Sequence, residues 1–265
     1  MCMRSVRARH RAVRDDIGEL HTWRPLPNAR LRQIDPFLFL NHHGPQVYPP
    51  HNRGLPFGPH PHRGFETVTF IVEGSLTHRD SAGHESTIEA GGVQWMTAGR
   101  GVEHAELSPK EFLERGGPLE ILQLWVNLPS RLKMTEPRYI GLQRDEIPSI
   151  DRDDGRVTLH PIPVKSLTDV QLMTIDFQPH GRITLDAPHD RNVFLYIVRG
   201  DTTLGSAFEL IEMNEDGDEI EIEATTDALI IFGHALPIGE PVVSYGPFVM
   251  NTREEIAQAI RDFGF

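Results

Sequence analysis

His60-Pro61-His62-Arg63-Gly64-Phe65-Glu66 runs without a break into Thr67-Val68-Thr69-Phe70-Ile71-Val72-Glu73-Gly74. The second part reads as a β-strand: Val68, Phe70 and Val72 alternate with Thr67, Thr69 and Ile71, and Glu73-Gly74 closes it with a turn. The first part is a His-x-His pair. In extended backbone, alternate side chains share a face, and Pro61 biases His60 toward that conformation. His60 and His62 can therefore point the same way, as a two-nitrogen clamp for a metal.

A second stretch carries the same spacing. Gln94-Trp95-Met96-Thr97-Ala98-Gly99-Arg100-Gly101-Val102-Glu103 leads into His104-Ala105-Glu106. The glycines at 99 and 101 allow a tight turn before it. Two extended clamps on neighbouring strands predict a shell of three imidazole nitrogens and one carboxylate oxygen. That donor set suits iron, manganese, nickel, copper or zinc. Glu66 and Glu106 both have a claim to the carboxylate position, and the one left out would support a ligand or form an ion pair. Arg63 either holds an anionic ligand or oxygen species, or pairs with one of the many carboxylates.

Around these stretches the chain reads as short strands. Its 265 residues include 23 glycines and 21 prolines. Strands are expected over 34–40, 76–80, 86–89, 93–96 and 119–127, and punctuation at such intervals favours a sandwich or barrel over βαβ units. The segment from His42 to Pro59, dense in proline, glycine and histidine, is expected to be a loop. His42, His43 and His51 are assigned to that loop. His78, His84, His160, His180, His189 and His234 are assigned to the surface or to turns.

The strand ending at Gly74 has a second copy. Thr69-Phe70-Ile71-Val72-Glu73-Gly74 aligns with Leu195-Tyr196-Ile197-Val198-Arg199-Gly200 at an offset of 126 residues. At that offset His60 falls on Asp186, His62 on Pro188 and Glu66 on Asn192. A duplication is expected in which only the first copy holds a metal, with domains at 1–135 and 136–265. A capping box formed by Thr252 and Glu255 starts a C-terminal helix. Ile256, Ile260 and Phe263 lie on one of its faces, expected to pack on the second domain.

The formal charge of −12 argues against direct nucleic-acid contact, since the arginines at 4, 7, 9, 11 and 14 form only a solvated edge. No apolar run reaches the roughly 18 residues of a membrane span. With Cys2 as the single cysteine no intrachain disulfide can form, and a cytoplasmic location is expected.

Residues 60–68, 94–106, 239–243 and 246–252, together with Asp35-Pro36-Phe37-Leu38, closely resemble the pirin family of bicupins. The resemblance implies an all-β fold of two tandem cupin β-barrels with a short C-terminal helix, the second barrel lacking the metal. It implies a mononuclear divalent transition metal, iron(II) first, held by His60, His62, His104 and Glu106, and so favours Glu106 over Glu66. Two activities follow from the resemblance. One is a quercetin 2,3-dioxygenase type of reaction on a flavonol and O2, with Glu106 as the base. The other is a non-catalytic metal-sensing or redox-sensing protein that docks a regulatory protein partner.

Overall fold

A computed structural model describes residues 2–264. The chain forms two compact units, each built from discontinuous segments. One comprises residues 15–22, 37–144 and 238–265, and the other residues 1–14, 23–36 and 145–237. The changeover at 144/145 lies near the boundary expected at 135/136, but the termini are exchanged: the last residues belong with the histidine-bearing segment and the first with the second repeat. The C-terminal helix is thus corrected in its placement. It spans Arg253–Phe263, has the full capping box at Thr252 and Glu255, and packs on Phe248 and Met250 within the histidine-bearing unit.

In that unit the strands run antiparallel in two larger sheets and a two-stranded one, Val243–Tyr245 with Phe248–Met250. One sheet orders Phe57–His62, Val102–Leu107, Ser75–Asp80 and Glu85–Glu89. The other carries, in sequence of pairing, Arg138–Leu142, Val93–Thr97, Phe65–Glu73, Gly117–Asn127 and Phe37–Tyr48. Leu76, Ile88, Leu119, Ile121 and Ile71 fill the space between them and exclude water from it. A one-and-a-half-turn helix, Lys110–Arg115, was not expected from the sequence.

The expected loop at 42–59 is corrected as well. Strand continues through His42, His43, Gly44 and Pro45 to Tyr48, and a new strand begins at Phe57. The ladder tolerates Pro45 because its register against Gly117–Asn127 shifts between the Gln46 and His43 pairings. A bulge of this kind leaves one residue unpaired, which is where a missing N–H does no harm. His42 is buried in that strand with Nε2 on the Glu120 carboxylate at 2.7 Å, and His43 is buried beside Thr22.

The other unit pairs Val6–Arg11, Glu209–Met213, Asn192–Arg199, Ala228–Ala235, Gln171–Phe177, Val157–Pro161 and Ile150–Arg152 in one antiparallel sheet. A two-stranded sheet, Arg182–Asp186 with Glu219–Glu223, supplies Ile183, Leu185, Ile220 and Ile222 to the same apolar core as Leu195, Ile197, Ile211 and Phe232. The repeat seen in sequence is a repeat of structure. Phe65–Glu73 and Asn192–Arg199 are the matching strands, and Gly74 and Gly200 both leave them at positive φ, +84° and +80°.

Candidate metal centre

The two clamps lie on directly paired strands. Val102 stands opposite His62, and His104 opposite His60, in the ladder between Phe57–His62 and Val102–Leu107. The three imidazoles converge, with ligand nitrogens all within 4.8 Å of one another. Nε2 of His60 and Nε2 of His104 are 3.0 Å apart. Two nitrogens each about 2.1 Å from one ion and at right angles would be separated by about 3.0 Å.

The outer ring nitrogens set the tautomers. His60 Nδ1 donates to the Gly58 carbonyl at 2.7 Å, and His62 Nδ1 to the Pro247 carbonyl at 3.1 Å. Each ring therefore presents an Nε2 lone pair inward. His62 Nε2 is fully buried without a protein partner, an arrangement that costs about 1–3 kcal/mol unless something binds there. Burial, and then the neighbouring His60, push the His62 imidazole down to about 3. Burial, then His62 and His60, hold His104 well below the usual histidine value. Both are neutral near pH 7, the form that binds a metal. Donor set, orphaned nitrogen and spacing all fit a transition metal.

Glu106 is buried on the same strand two residues beyond His104, and its carboxylate is held by two donors. Gln123 Nε2 donates to Oε2 at 2.6 Å and Thr69 Oγ1 to Oε1 at 3.2 Å. Trp125 Nε1 donates to Gln123 Oε1 at 3.1 Å and so fixes the amide with its NH2 toward Glu106. Among the described residues, the group whose ligand atoms lie within 4.8 Å contains the three histidines and not Glu106.

Glu66 is elsewhere. Within Phe65–Glu73 it lies three residues from Thr69, which contacts Glu106, so it points through the opposite face of the sheet. There it is buried, accepts from Thr97 Oγ1 at 2.6 Å, and burial raises its pKa against that bond. Arg63 has a protein partner: Nη1 donates to Asp262 Oδ2 at 2.7 Å.

The assignment of His78 to the surface is corrected. It is 1% exposed, stands opposite Glu106 in the ladder and lies with its ring 5.4 Å from that of His104. Its Nε2 donates to Asp80 Oδ2 at 3.0 Å and its ring stacks on Tyr139 at 4.0 Å. His160 is also buried. Gln123 and Thr69 were missed as well. The signal was present for Gln123, a polar residue among the alternating apolar positions Leu119, Ile121 and Trp125.

Two antiparallel cupin-type domains, one lined by imidazoles, define a bicupin. The chain matches the Pirin family over residues 19–126 and the Pirin C-terminal cupin domain over residues 172–264. It is 37% identical over 249 residues to a Pseudomonas aeruginosa protein named "Putative quercetin 2,3-dioxygenase", covering 89% of this chain and 87% of that one. Human Pirin is 37% identical over 261 residues, with 91% and 85% covered. The crystal structure of a quercetin 2,3-dioxygenase from Acinetobacter baumannii superposes with a TM-score of 0.92 at 32% identity, covering 99% of this chain and 97% of that one. The chain belongs to the pirin family. Among the described residues no helix is long and apolar enough to cross a membrane.

Proposed function

We propose that the protein is a metal-dependent dioxygenase of the quercetinase type, with His60, His62, His104 and Glu106 as ligands and iron(II) as the metal. The observation that carries the reading is the convergence of three imidazoles around a buried, unpartnered His62 Nε2. The names of the Pseudomonas and Acinetobacter relatives support the reaction class. When bound, the metal supplies Lewis-acid activation of a flavonol 3-hydroxyl and 4-carbonyl and a meeting place for O2.

The protein residues supply orientation and proton handling. Gly58 and Pro247 carbonyls hold the His60 and His62 rings with Nε2 inward. Glu106 takes the 3-hydroxyl proton on a carboxylate oxygen that Gln123 and Thr69 keep in place. The apolar residues Leu119, Ile121 and Ile71 beneath it limit bulk water.

One observation favours a second reading, a metal- or redox-responsive binding protein without turnover. His62, His104 and Glu106 are only 2–3% exposed, and His60 is the sole member of the set with intermediate exposure. A three-ring flavonol has to approach past His60. The test is oxygen uptake and carbon monoxide release by iron-loaded protein given quercetin and related flavonols. Turnover that disappears in His62→Ala supports the enzyme. Fully loaded protein that consumes no oxygen with any flavonol overturns it and leaves the binding protein.

A further inference from the structure

The C-terminal segment from Pro247 to Phe263 touches both histidine-bearing stretches, at His62 and Arg63 in the first and at Gly101 in the second. The Pro247 carbonyl orients His62, as described. Two residues on, the Val249 N–H donates to the Arg63 carbonyl at 3.0 Å. The Val249 carbonyl accepts from Lys133 Nζ at 3.1 Å, and the same ammonium reaches the Gly64 carbonyl at 2.9 Å and Asn127 Oδ1 at 2.7 Å. Three donors meet three acceptors around a lysine that is 1% exposed.

Arg63 joins the two stretches to the helix. Its Nε donates to the Arg100 carbonyl at 2.6 Å, its Nη1 to Asp262 at 2.7 Å, and its guanidinium lies 5.1 Å from the centre of the Phe263 ring. The side chain thus holds the first stretch, the turn of the second and the end of the helix at one point.

Two glycines, one in each stretch, sit where this segment presses closest. Gly64 has φ +88°, and a Cβ there would meet the Val249 carbonyl oxygen at 1.9 Å. Gly101 has φ +130°, and a Cβ there would meet the Phe263 ring at 2.5 Å. Any larger residue at either position would lift the segment away. The residue pattern first attributed to a tight turn also serves a close approach.

We propose that residues 247–263 are a positioning strap for the metal centre, latched by the Arg63–Asp262 ion pair, and that closure of the strap sets metal affinity. The proposal rests on the metal-centre reading above. Arg63 and Asp262 are positioning residues: they act on the ligands through the Arg63 backbone, the Arg100 carbonyl and the Pro247 carbonyl. Groups that orient metal-bound histidines typically change affinity 10- to 100-fold, and the latch, one step further out, is expected at the lower end of that range.

The experiment uses the full chain, stripped with chelator and titrated with cobalt(II), whose visible spectrum reports ligand geometry. Asp262→Ala is expected to weaken cobalt binding about 10-fold and to alter the ligand-field bands of the bound ion. Asp262→Glu, which keeps a carboxylate for Arg63, is expected to recover most of both. Arg79→Ala, which breaks the exposed ion pair to Glu85 in the same unit, should change neither. Melting of the metal-free variants is followed in parallel. Asp262→Ala with wild-type affinity and bands overturns the proposal, as does a loss that merely tracks lowered metal-free stability with unaltered bands. Wild-type protein that takes up no cobalt overturns the metal-centre reading itself.

Discussion

The two units share one strand plan and fill it with opposite chemistry. In the first, Thr69 pairs with Gln123 across the ladder, and both bond Glu106. At the 126-residue offset Thr69 corresponds to Leu195, whose ladder partner is Phe232. Ile71 and its partner Ile121 correspond to Ile197 and Ile230, apolar in both. The repeat therefore keeps its hydrophobic layer and exchanges the layer above it. Where the first copy keeps a polar pair that holds a carboxylate, the second has a leucine and a phenylalanine in a dry core. A strand scaffold stabilised by one apolar layer can accept either content in the next.

The largest effect that would sharpen this contrast is expected in the apolar unit. Phe232→Ala removes a fully buried ring and should cost about 3–5 kcal/mol in chemical denaturation, with no change in metal content per folded chain. Next, His62→Ala should lower metal affinity more than about 100-fold, beyond the loss of an outer partner, while circular dichroism stays native. Calorimetric titration and elemental analysis check it. Retained stoichiometric metal would break the distinction between the units.

A smaller effect separates the two glutamates. Glu106→Gln should weaken metal binding about 10-fold or more, and Glu66→Gln, on the opposite face of its strand, should leave it near wild type. Equal losses would remove Glu106 from the set.

The smallest effect is one of pH. Exposed His189 donates to Asp218, which raises the imidazole pKa. Its contribution to stability is full below the ordinary histidine value and is lost as pH rises through the raised one. Proton NMR on metal-free protein should show His189 titrating above, and His62 far below, an ordinary histidine. His189→Gln should remove the pH dependence of stability in that window.

Much of this arrangement was legible in the sequence because it is local. The two His-x-His and His-x-Glu spacings, the alternation over 67–72 and the capping box at Thr252 are patterns of a few residues. What escaped depends on partners far along the chain. Arg63 finds Asp262, 199 positions away. His78 looks like any histidine on a polar strand until Glu106 is placed opposite it. Counting by twos from His62 to Glu66 puts both on one face, but Gly64 at φ +88° breaks the alternation and sends Glu66 to the other side. Proline density at 45–59 hid a strand because a bulge, which no composition reveals, absorbs Pro45.

The exchanged termini carry a consequence for how such a gene can be rearranged. The first half of the repeat contains all four candidate ligands, yet residues 238–265 that complete its unit are encoded after the second. Recombination that shuffled the halves as cassettes would separate the imidazoles from Pro247 and Asp262. It would also part Val6–Arg11 from its ladder partner Glu209–Met213. Either half on its own would therefore lack a segment that its unit is built from, and the copy without the imidazole cluster lies in the chain between the ligands and the segment that completes their unit.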